Sequence, residues 1–328
     1  MTAGITGTGI ALPRREVTNE VIGTTAGVDD TWIEQRTGIV ARRIAELDES
    51  VHSLATSAGR AALLDAEVDP GDIDLVLVAT CTAERSLPPL APGVASSLGI
   101  GSAGAFDVGA ACNGFLSALS AAAGILATGD AHRALVIGSE VMSRITDPAD
   151  PKINPLFGDG AGAVVLEAGA PGRIGPFVFG SAGEHAEILR TDRATGLLEM
   201  QGREVYRRAI DAMAAVIKDV TERAGLTLED VGLFIPHQAN ERITRALCDR
   251  LELDPAKVMS NIARRGNTSA ASVPIALHEA RSAGRLALGD TAVLASVGAG
   301  LVWSGCAVLW GIAEPDLRSS ADGALVHV

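Results

Sequence analysis

The sequence predicts an α/β protein built from layers of helices packed against buried sheets. Aromatic residues make up only 3% of the 328 residues, whereas hydrophobic residues make up 47% and glycines number 37. This composition suits helices that pack closely on buried strands joined by tight turns. Apolar runs of strand length alternate with Ala-rich segments of helical spacing, which favours a largely parallel sheet. The expected strands are Leu75–Ala79, Ala134–Gly138, Ala163–Leu166, Leu233–Pro236, Ala292–Val297 and Cys306–Trp310.

The second half of the sequence resembles the first. The segment GRAALLDAEVDPGDIDLVLVAT resembles KDVTERAGLTLEDVGLFIPH, in each case a helix, an acidic turn and an apolar strand. Further on, FLSALSAAAGILATGDAHRALVIGS resembles SVPIALHEARSAGRLALGDTAVLASVG. Any two αβ segments share some of this pattern, but the matched pieces occur in the same order. We therefore expect two similar halves, with domains at 1–170 and 171–313 and a polar tail at 314–328.

The charge balance makes nucleic acid an unexpected partner. The chain carries 27 Lys and Arg against 40 Asp and Glu, which gives a formal charge of −13, and it has no long basic run. An acidic protein that binds an acidic partner needs a local basic patch to overcome the overall repulsion.

The cysteines and the N-terminus point to the cytoplasm. The four cysteines are far apart in the sequence and form no pair or cluster with metal-ligand spacing, so we expect no metal site and a reducing compartment. The N-terminal segment lacks the pattern of a signal peptide, and the apolar runs look shorter than the roughly 18 residues of a membrane span. We therefore expect no membrane association.

Cys112 is the first candidate functional residue. It lies where an apolar strand runs through small residues into the helix FLSALSAAAGIL, so its thiol is expected near a helix N-terminus. Unpaired N–H groups and the helix dipole favour a thiolate there, and thiolate is the nucleophilic form of cysteine. The alternative is a small buried apolar side chain, which is what most unpaired cysteines are.

His237 and Asn267 are the other two candidates. His237 directly follows an apolar strand, and the ends of strands are where α/β proteins place catalytic groups. A structural histidine is the alternative. Asn267 precedes a helix among glycine and hydroxyl residues, so it could be an N-cap. If both side chains converge on one oxygen, their N–H groups would stabilise an enolate.

The motifs around these residues resemble those of one enzyme family. GAACNGF, IPHQAN and GNTSAAS, in that order, are similar to the Cys, His and Asn motifs of β-ketoacyl-acyl-carrier-protein synthase III, a thiolase-superfamily enzyme. WIEQRTGIVARR, LFGDGAGAVVL and VGAGLVW resemble further signatures of that family. The resemblance spans nearly residues 3–311.

The resemblance implies a fold and a reaction. The fold is the thiolase fold, two similar halves in a five-layered α/β/α/β/α arrangement, and the assembly is a homodimer. In the family's ping-pong reaction, an acyl-CoA acylates the cysteine, and malonyl-carrier protein then loses CO₂ and attacks the acyl group. The thioesters of CoA and phosphopantetheine are substrates, and no cofactor is implied.

Site roles follow from the same resemblance by motif position. Cys112 would be the nucleophile, and His237 and Asn267 would stabilise the enolate. The backbone N–H groups of Cys112 and Ala299 would hold the thioester oxyanion. A further set would bind the carriers, with solvated arginines as the alternative interpretation of its cationic members: Trp32 and Arg36 for the CoA nucleotide, and Arg207 and Arg242 for phosphopantetheine or the acyl carrier protein.

Some positions depart from the family pattern. Leu87 stands where an aromatic residue often closes the acyl pocket across the dimer, so we expect the pocket to accept an acyl group other than acetyl. Pro151 and Lys152 stand where an arginine is expected, which puts stacking of the adenine against Trp32 in doubt.

Three functions are compatible with the sequence. The first is decarboxylative condensation that initiates fatty acid or polyketide synthesis. The second is acyl transfer to an alcohol, an amine or a second carrier protein without decarboxylation. The third is a non-catalytic scaffold, which the presence of all three candidate residues disfavours. Asn267 favours condensation, because plain acyl transfer needs a general base but no enolate stabiliser.

Overall fold

The computed structural model describes residues 2–312, which form two halves of similar topology. The N-terminal half contains β1 (Ala3–Ala11), β2 (Arg15–Thr18), α1 (Asn19–Ala26), α2 (Asp30–Thr37), β3 (Ala41–Ile44), α3 (Val51–Asp65), β4 (Leu75–Ala79), α4 (Leu90–Leu98), β5 (Gly104–Val108), α5 (Gly114–Thr128), β6 (Arg133–Glu140) and β7 (Gly160–Ala168). The C-terminal half contains β8 (Arg173–Ser181), β9 (Leu189–Thr191), β10 (Leu198–Met200), α6 (Gly202–Arg223), β11 (Leu233–Pro236), α7 (Glu241–Leu251), α8 (Ile262–Arg265), α9 (Ser272–Ser282), β12 (Thr291–Gly298) and β13 (Val302–Leu309).

The main sheets of the two halves share one strand order. In the described part of the chain, the first sheet runs β1-β7-β6-β4-β5 and the second runs β8-β13-β12-β11. In each sheet, the first three strands are antiparallel neighbours and the next pairing is parallel. A parallel bridge from Phe234 to Val258 lies where the second sheet would have a counterpart of β5. The duplication inferred from the sequence is therefore present in the topology.

The two sheets and the helices form five layers. Helices α5 and α9 lie between the sheets, and their apolar side chains share one core with strands of both halves. Helices α3 and α4 cover the outer face of the first sheet, and α6 and α7 cover the outer face of the second. The resulting order α/β/α/β/α is that of the thiolase fold.

The outer helices form for reasons visible in the sequence. Helix α6 buries Ala209, Met213, Ile217 and Val220, spaced three or four residues apart, so one face of the helix packs on the sheet. Helix α3 begins at a capping box in which the side chains of Ser50 and Ser53 each accept from the backbone N–H of the other. The amphipathic spacing of α6 and the capping box of α3 are thus local features that favour these helices.

All the strands predicted from the sequence are present, and the largest differences in their bounds are at β7 and β13. β7 covers nine residues, and β13 begins at Val302, four residues earlier than expected. The central apolar segment is also longer than the sequence suggested: Ala111–Thr128 has the length and mean hydropathy (1.4) of a membrane span. It packs against strands of both sheets, which accounts for its composition. The division into two domains stays a prediction, and the tail predicted at 314–328 lies outside the described residues.

Glycines set the distance between the first sheet and the central helix of the other half. A Cβ at Gly162 in β7 would lie 2.8 Å from Ile275 N and 2.9 Å from the carbonyl carbon of Pro274, both in α9. Real Cβ atoms do not approach backbone so closely, so a side chain here would push α9 away. Only glycine therefore fits at position 162, where the first sheet contacts the start of α9.

We expect Gly162→Val to lower the free energy of unfolding by about 1–3 kcal/mol, because the added atoms overpack this contact. Urea unfolding followed by circular dichroism measures the change. The control is Gly124→Ala in α5, where nothing lies within 4 Å of the added Cβ. It should leave stability unchanged or raise it by up to about 1 kcal/mol. Equal stability of Gly162→Val and the unmodified protein would contradict the packing argument.

Candidate active site

Cys112 lies in a short 3₁₀ turn, Ala111–Asn113, which we call the nucleophile turn. The turn connects β5 to the first residue of α5, as the sequence predicted. Ala111 has φ +47°, a left-handed conformation that non-glycine residues rarely adopt. The surrounding structure must hold such a conformation in place.

Side chains of the C-terminal half hold the nucleophile turn. The hydroxyl of Ser296 in β12 donates to the carbonyl of Cys112 at 2.9 Å. The hydroxyl of Ser304 in β13 donates to Oδ1 of Asn113 at 2.7 Å. The second sheet thereby fixes a residue that belongs to the first half.

Gly298 brings the end of β12 against the same turn. A Cβ at Gly298 would lie 2.7 Å from the carbonyl oxygen of Ala110 and 2.9 Å from the backbone nitrogen of Cys112. Only glycine permits this approach. Ala299, the proposed second oxyanion donor, is the next residue in the chain.

The protonation state of Cys112 differs from the expectation based on the helix N-terminus. Loss of hydration, together with the nearby carboxylate of Glu140, raises the pKa of Cys112 to about 11. The expected thiolate is therefore wrong for the free protein at neutral pH. The helix terminus is present, but the loss of hydration outweighs it.

His237 follows β11 and is buried in a neutral state. Its backbone N–H donates to the carbonyl of Ala295 at 2.8 Å, and its Nδ1 lies 2.5 Å from the hydroxyl of Ser272. Burial lowers the pKa of His237 to about 4, so the imidazole is neutral at physiological pH. A hydroxyl that donates to Nδ1 leaves the ring hydrogen on Nε2.

The amide of Asn267 is oriented by its own loop. Its Oδ1 accepts from the backbone N–H of Ser269 at 2.8 Å, which leaves the Nδ2 hydrogens for another partner. Its backbone N–H donates to Leu156 O at 2.8 Å, and Gly158 N–H donates to Asn267 O at 3.1 Å. The motif LFGDGAGAVVL, which contains Leu156 and Gly158, thus holds the backbone of Asn267 through two hydrogen bonds. The side chain does not act as an N-cap of α9.

All three candidates line one cavity of about 1110 Å³. Its wall carries Cys112, His237 and Asn267, and the same cavity is lined by Trp32, Arg36 and Arg242. The lining also includes Lys152, Arg203, Glu204 and Val297.

Asn240 couples two of the predicted carrier-binding residues. Its Oδ1 caps α7 by accepting from the backbone N–H of Arg242, and its Nδ2 donates to the carbonyl of Arg36 at 3.1 Å. The guanidinium of Arg36 lies 4.3 Å from the centre of the Trp32 ring. These contacts place the aromatic and cationic groups beside each other at the cavity.

Three predicted residues lie outside the cavity lining. Arg207 is on the exposed face of α6 and pairs with Glu204 at 2.8 Å. Ala299 lies two residues beyond Val297, which lines the cavity. Leu87 is 79% exposed, on the loop between β4 and α4. The roles assigned to these residues stay predictions.

The sequence analysis missed several residues that support the site. Ser272 contacts His237, Ser269 contacts Asn267, and Arg203 lines the cavity with Lys152. The two serines follow Asn267 in the motif GNTSAAS, so hydroxyls that recur beside a candidate amide were the available signal. Within residues 2–312, no three His, Cys, Asp or Glu side chains form a group that could hold a metal.

Comparisons with known proteins agree on one family. The family models described as 3-oxoacyl-[acyl-carrier-protein] synthase III and its C-terminal part match residues 106–183 and 221–310. β-Ketoacyl-[acyl-carrier-protein] synthase III 2 of Streptomyces coelicolor is 44% identical over 97% of each chain.

Two crystal structures are similar in both sequence and fold. 3-Oxoacyl-[acyl-carrier-protein] synthase III from Aquifex aeolicus superposes with a TM-score of 0.92 at 40% identity, covering 94% of this chain and 100% of its own. The priming β-ketosynthase of the R1128 polyketide pathway superposes with a TM-score of 0.91 at 41% identity, covering 96% and 97%. With its five-layer fold and its Cys, His and Asn residues on one cavity, the chain belongs to the β-ketoacyl-acyl-carrier-protein synthase III family.

Proposed function

We propose that this protein is a condensing enzyme that initiates fatty acid or polyketide synthesis. An acyl-CoA transfers its acyl group to Cys112, and malonyl-acyl carrier protein then condenses with that group and releases CO₂. The observation that carries the proposal is the placement of Cys112, His237 and Asn267 on one cavity that also has aromatic and cationic residues in its lining. We place the enzyme in the cytoplasm, because the four cysteines are unpaired.

In the first step, the sulfur of Cys112 attacks the carbonyl carbon of the acyl-CoA thioester. The oxyanion that forms is stabilised by the backbone N–H groups of Cys112 and Ala299. The close approach of Gly298, the neighbour of Ala299, to the backbone nitrogen of Cys112 supports this assignment. The C–S bond to CoA then breaks, and the departing sulfur takes a proton. Acyl-Cys112 and CoA–SH are the products.

In the second step, malonyl-carrier protein loses its carboxylate as CO₂, and the electron pair of the broken C–C bond forms an enolate. The Nε2–H of neutral His237 and the Nδ2–H of Asn267 donate to the enolate oxygen, because their other atoms are held by Ser272 and Ser269. The carbanion attacks the acyl carbonyl, the Cys112 sulfur leaves and is reprotonated, and a β-ketoacyl carrier protein is released. The presence of two enolate donors favours condensation over plain acyl transfer.

Cationic residues provide the local patch that an acidic protein needs to bind an acidic carrier. Arg36, Lys152, Arg203 and Arg242 line the cavity or its edge. Lys152 is close to the position where the family has an arginine. A positive charge is therefore retained there, but the planar guanidinium group is replaced by an ammonium group. We assign this patch to the phosphates of CoA and phosphopantetheine and to the carrier protein.

We propose that the enzyme acts as a homodimer formed along β5. In the described residues, β5 pairs with β4 only, and Phe106 on this edge strand is 40% exposed. An unpaired edge strand with an exposed aromatic side chain is suited to pairing with a second copy. Leu87, on the loop before α4, would then enter the partner's acyl pocket.

Cys112→Ala should abolish the acyl adduct, whereas Asn267→Ala should retain it and lower the rate of condensation by about 10²–10³, because one enolate donor is lost. Intact-mass analysis after incubation with acyl-CoAs measures the first step, and β-ketoacyl product and CO₂ measure the second. If the adduct forms but is discharged only to an alcohol, an amine or a second carrier, the acyltransferase alternative is correct.

The rate of malonyl decarboxylation should stay constant between pH 5.5 and 8. Burial lowers the pKa of His237 to about 4, so the neutral ring persists throughout this range and is lost only as the pH falls through about 4. Single-turnover assays with pre-formed acyl-enzyme measure this step. An inflection near pH 6.5 would contradict the buried neutral imidazole.

Leu87→Phe should lower kcat/KM for long or branched acyl-CoAs by roughly 10- to 200-fold and retain activity with short ones, because the aromatic ring fills the pocket. A donor panel measures the change, and Leu47→Phe, at another exposed leucine, is the control. An unchanged donor preference would show that Leu87 does not reach a pocket.

The proposed homodimer predicts that light scattering gives about twice the mass of one chain for all variants.

A further inference from the structure

A buried carboxylate lies against the turn that follows Asn267 and has no place in the reaction described above. Glu140, the last residue of β6, is fully buried. Its Oε2 accepts from the hydroxyls of Thr80 and Thr82 at 3.0 and 2.5 Å, and its Oε1 accepts from Ser269 Oγ at 3.0 Å. Burial raises the pKa of Glu140, while hydrogen bonds from its neighbours oppose the shift.

The groups around Glu140 suit a partner that only accepts hydrogen bonds. The oxygen of Thr80 already accepts from the backbone N–H of Thr82 at 3.1 Å, and the oxygen of Thr82 accepts from the backbone N–H of Val141 at 2.9 Å. Each of these hydroxyls therefore has its hydrogen left to donate to the carboxylate. An ionised carboxylate satisfies all of these donors, whereas an amide in either orientation would point its own hydrogens at some of them.

Ser269 connects this carboxylate to the amide of Asn267. Its hydroxyl donates to Glu140 at 3.0 Å, and its backbone N–H donates to Oδ1 of Asn267 at 2.8 Å. The sulfur of Cys81 lies 3.6 Å from the same hydroxyl, but sulfur is a weak acceptor and the Cys81 thiol donates to Glu140 at 3.2 Å. One serine thus joins a buried carboxylate to a proposed enolate donor.

The backbone of Ser269 depends on its surroundings. Its φ is +50°, a left-handed conformation that non-glycine residues rarely adopt and that persists only where neighbouring groups hold it. Strand β6 makes a second contact with the same turn, Ser269–Ala271, because a Cβ at Gly138 would lie 2.9 Å from the carbonyl carbon of Ala270. The end of β6 therefore holds this turn both at the backbone, beside Gly138, and at the side chain of Glu140.

We propose that Glu140 positions the amide of Asn267 for the enolate through Ser269. The carboxylate holds the Ser269 hydroxyl, and the Ser269 N–H holds Oδ1 of Asn267. An amide whose oxygen faces an N–H group presents its NH₂ group to a different partner, which in the second step is the enolate oxygen. Glu140 is a positioning residue, since it acts through Ser269. This inference rests on the proposed function and concerns only the second step of that reaction.

The two steps of the reaction separate this role from general support of the fold. Loss of general support would impair acylation of Cys112 and decarboxylation of malonyl-carrier protein alike. We expect Glu140→Gln to slow single-turnover decarboxylation by about 10- to 100-fold, the effect of a displaced donor. Acylation of Cys112 should be unchanged or faster, because a nearby negative charge is lost. Ser269→Gly should behave in the same way, since glycine adopts a positive φ without strain and only the hydroxyl link is removed.

A double-mutant cycle tests whether Glu140 acts through Asn267. In an Asn267→Ala background, Glu140→Gln should change the decarboxylation rate by no more than about twofold. Thr80→Val is the matched control, because it removes a hydrogen bond to the other oxygen of Glu140 and leaves the bond to Ser269 in place. It should retain both rates. Equal losses in both steps, a similar loss in Thr80→Val, or full additivity with Asn267→Ala overturns the inference. If Glu140→Gln does not fold, Ser269→Gly carries the same comparisons.

A second measurement does not depend on activity. An NMR spectrum of protein with isotope-labelled asparagine contains the side-chain NH₂ signal of Asn267, which is identified by its absence in Asn267→Ala. This signal should shift or broaden in Glu140→Gln and in Ser269→Gly and be retained in Thr80→Val. An unchanged signal in the first two variants overturns the inference. If the unmodified protein forms no β-ketoacyl product, the proposed function is refuted instead, and the NMR comparison still decides whether Glu140 positions the amide.

Discussion

The contact between the nucleophile turn and the end of β12 is the constraint on which the site depends. The turn carries Cys112 from the N-terminal half, whereas Gly298, Ser296 and Ser304 belong to the second sheet. Neither half alone can form the site, because Cys112 comes from the N-terminal half and His237 and Asn267 come from the C-terminal half. Close packing at Gly162 and Gly298 keeps the two halves in contact near the site.

Burial decides which groups in this site are charged. Loss of hydration makes His237 a neutral hydrogen-bond donor and Cys112 a neutral thiol, opposite to the thiolate that the helix terminus alone would favour. In the reaction proposed above, neutral donors suit the stabilisation of an enolate, whereas a neutral thiol must lose its proton before it can attack.

The cationic groups at the cavity provide a local positive patch in a protein of net charge −13. Arg36 and Arg242 are held in register by the side chain of Asn240, which joins the end of α2 to the start of α7. Arg207, by contrast, is paired with Glu204 one helical turn away. A local arrangement of a few charges therefore matters more for recognition than the total charge.

The sequence by itself determined the α/β class, the duplication and the three candidate residues that share one cavity, because strand and helix periodicity and short motifs are local properties. Only the tertiary structure decided the protonation state of Cys112, the orientation of the Asn267 amide and the contacts of Ser269, Ser272 and Glu140. Glu140 is more than a hundred residues from Ser269 in the chain, so no spacing could indicate their contact. Hydration and hydrogen-bond partners depend on which distant segments pack together, and that is fixed only when the two halves close on each other.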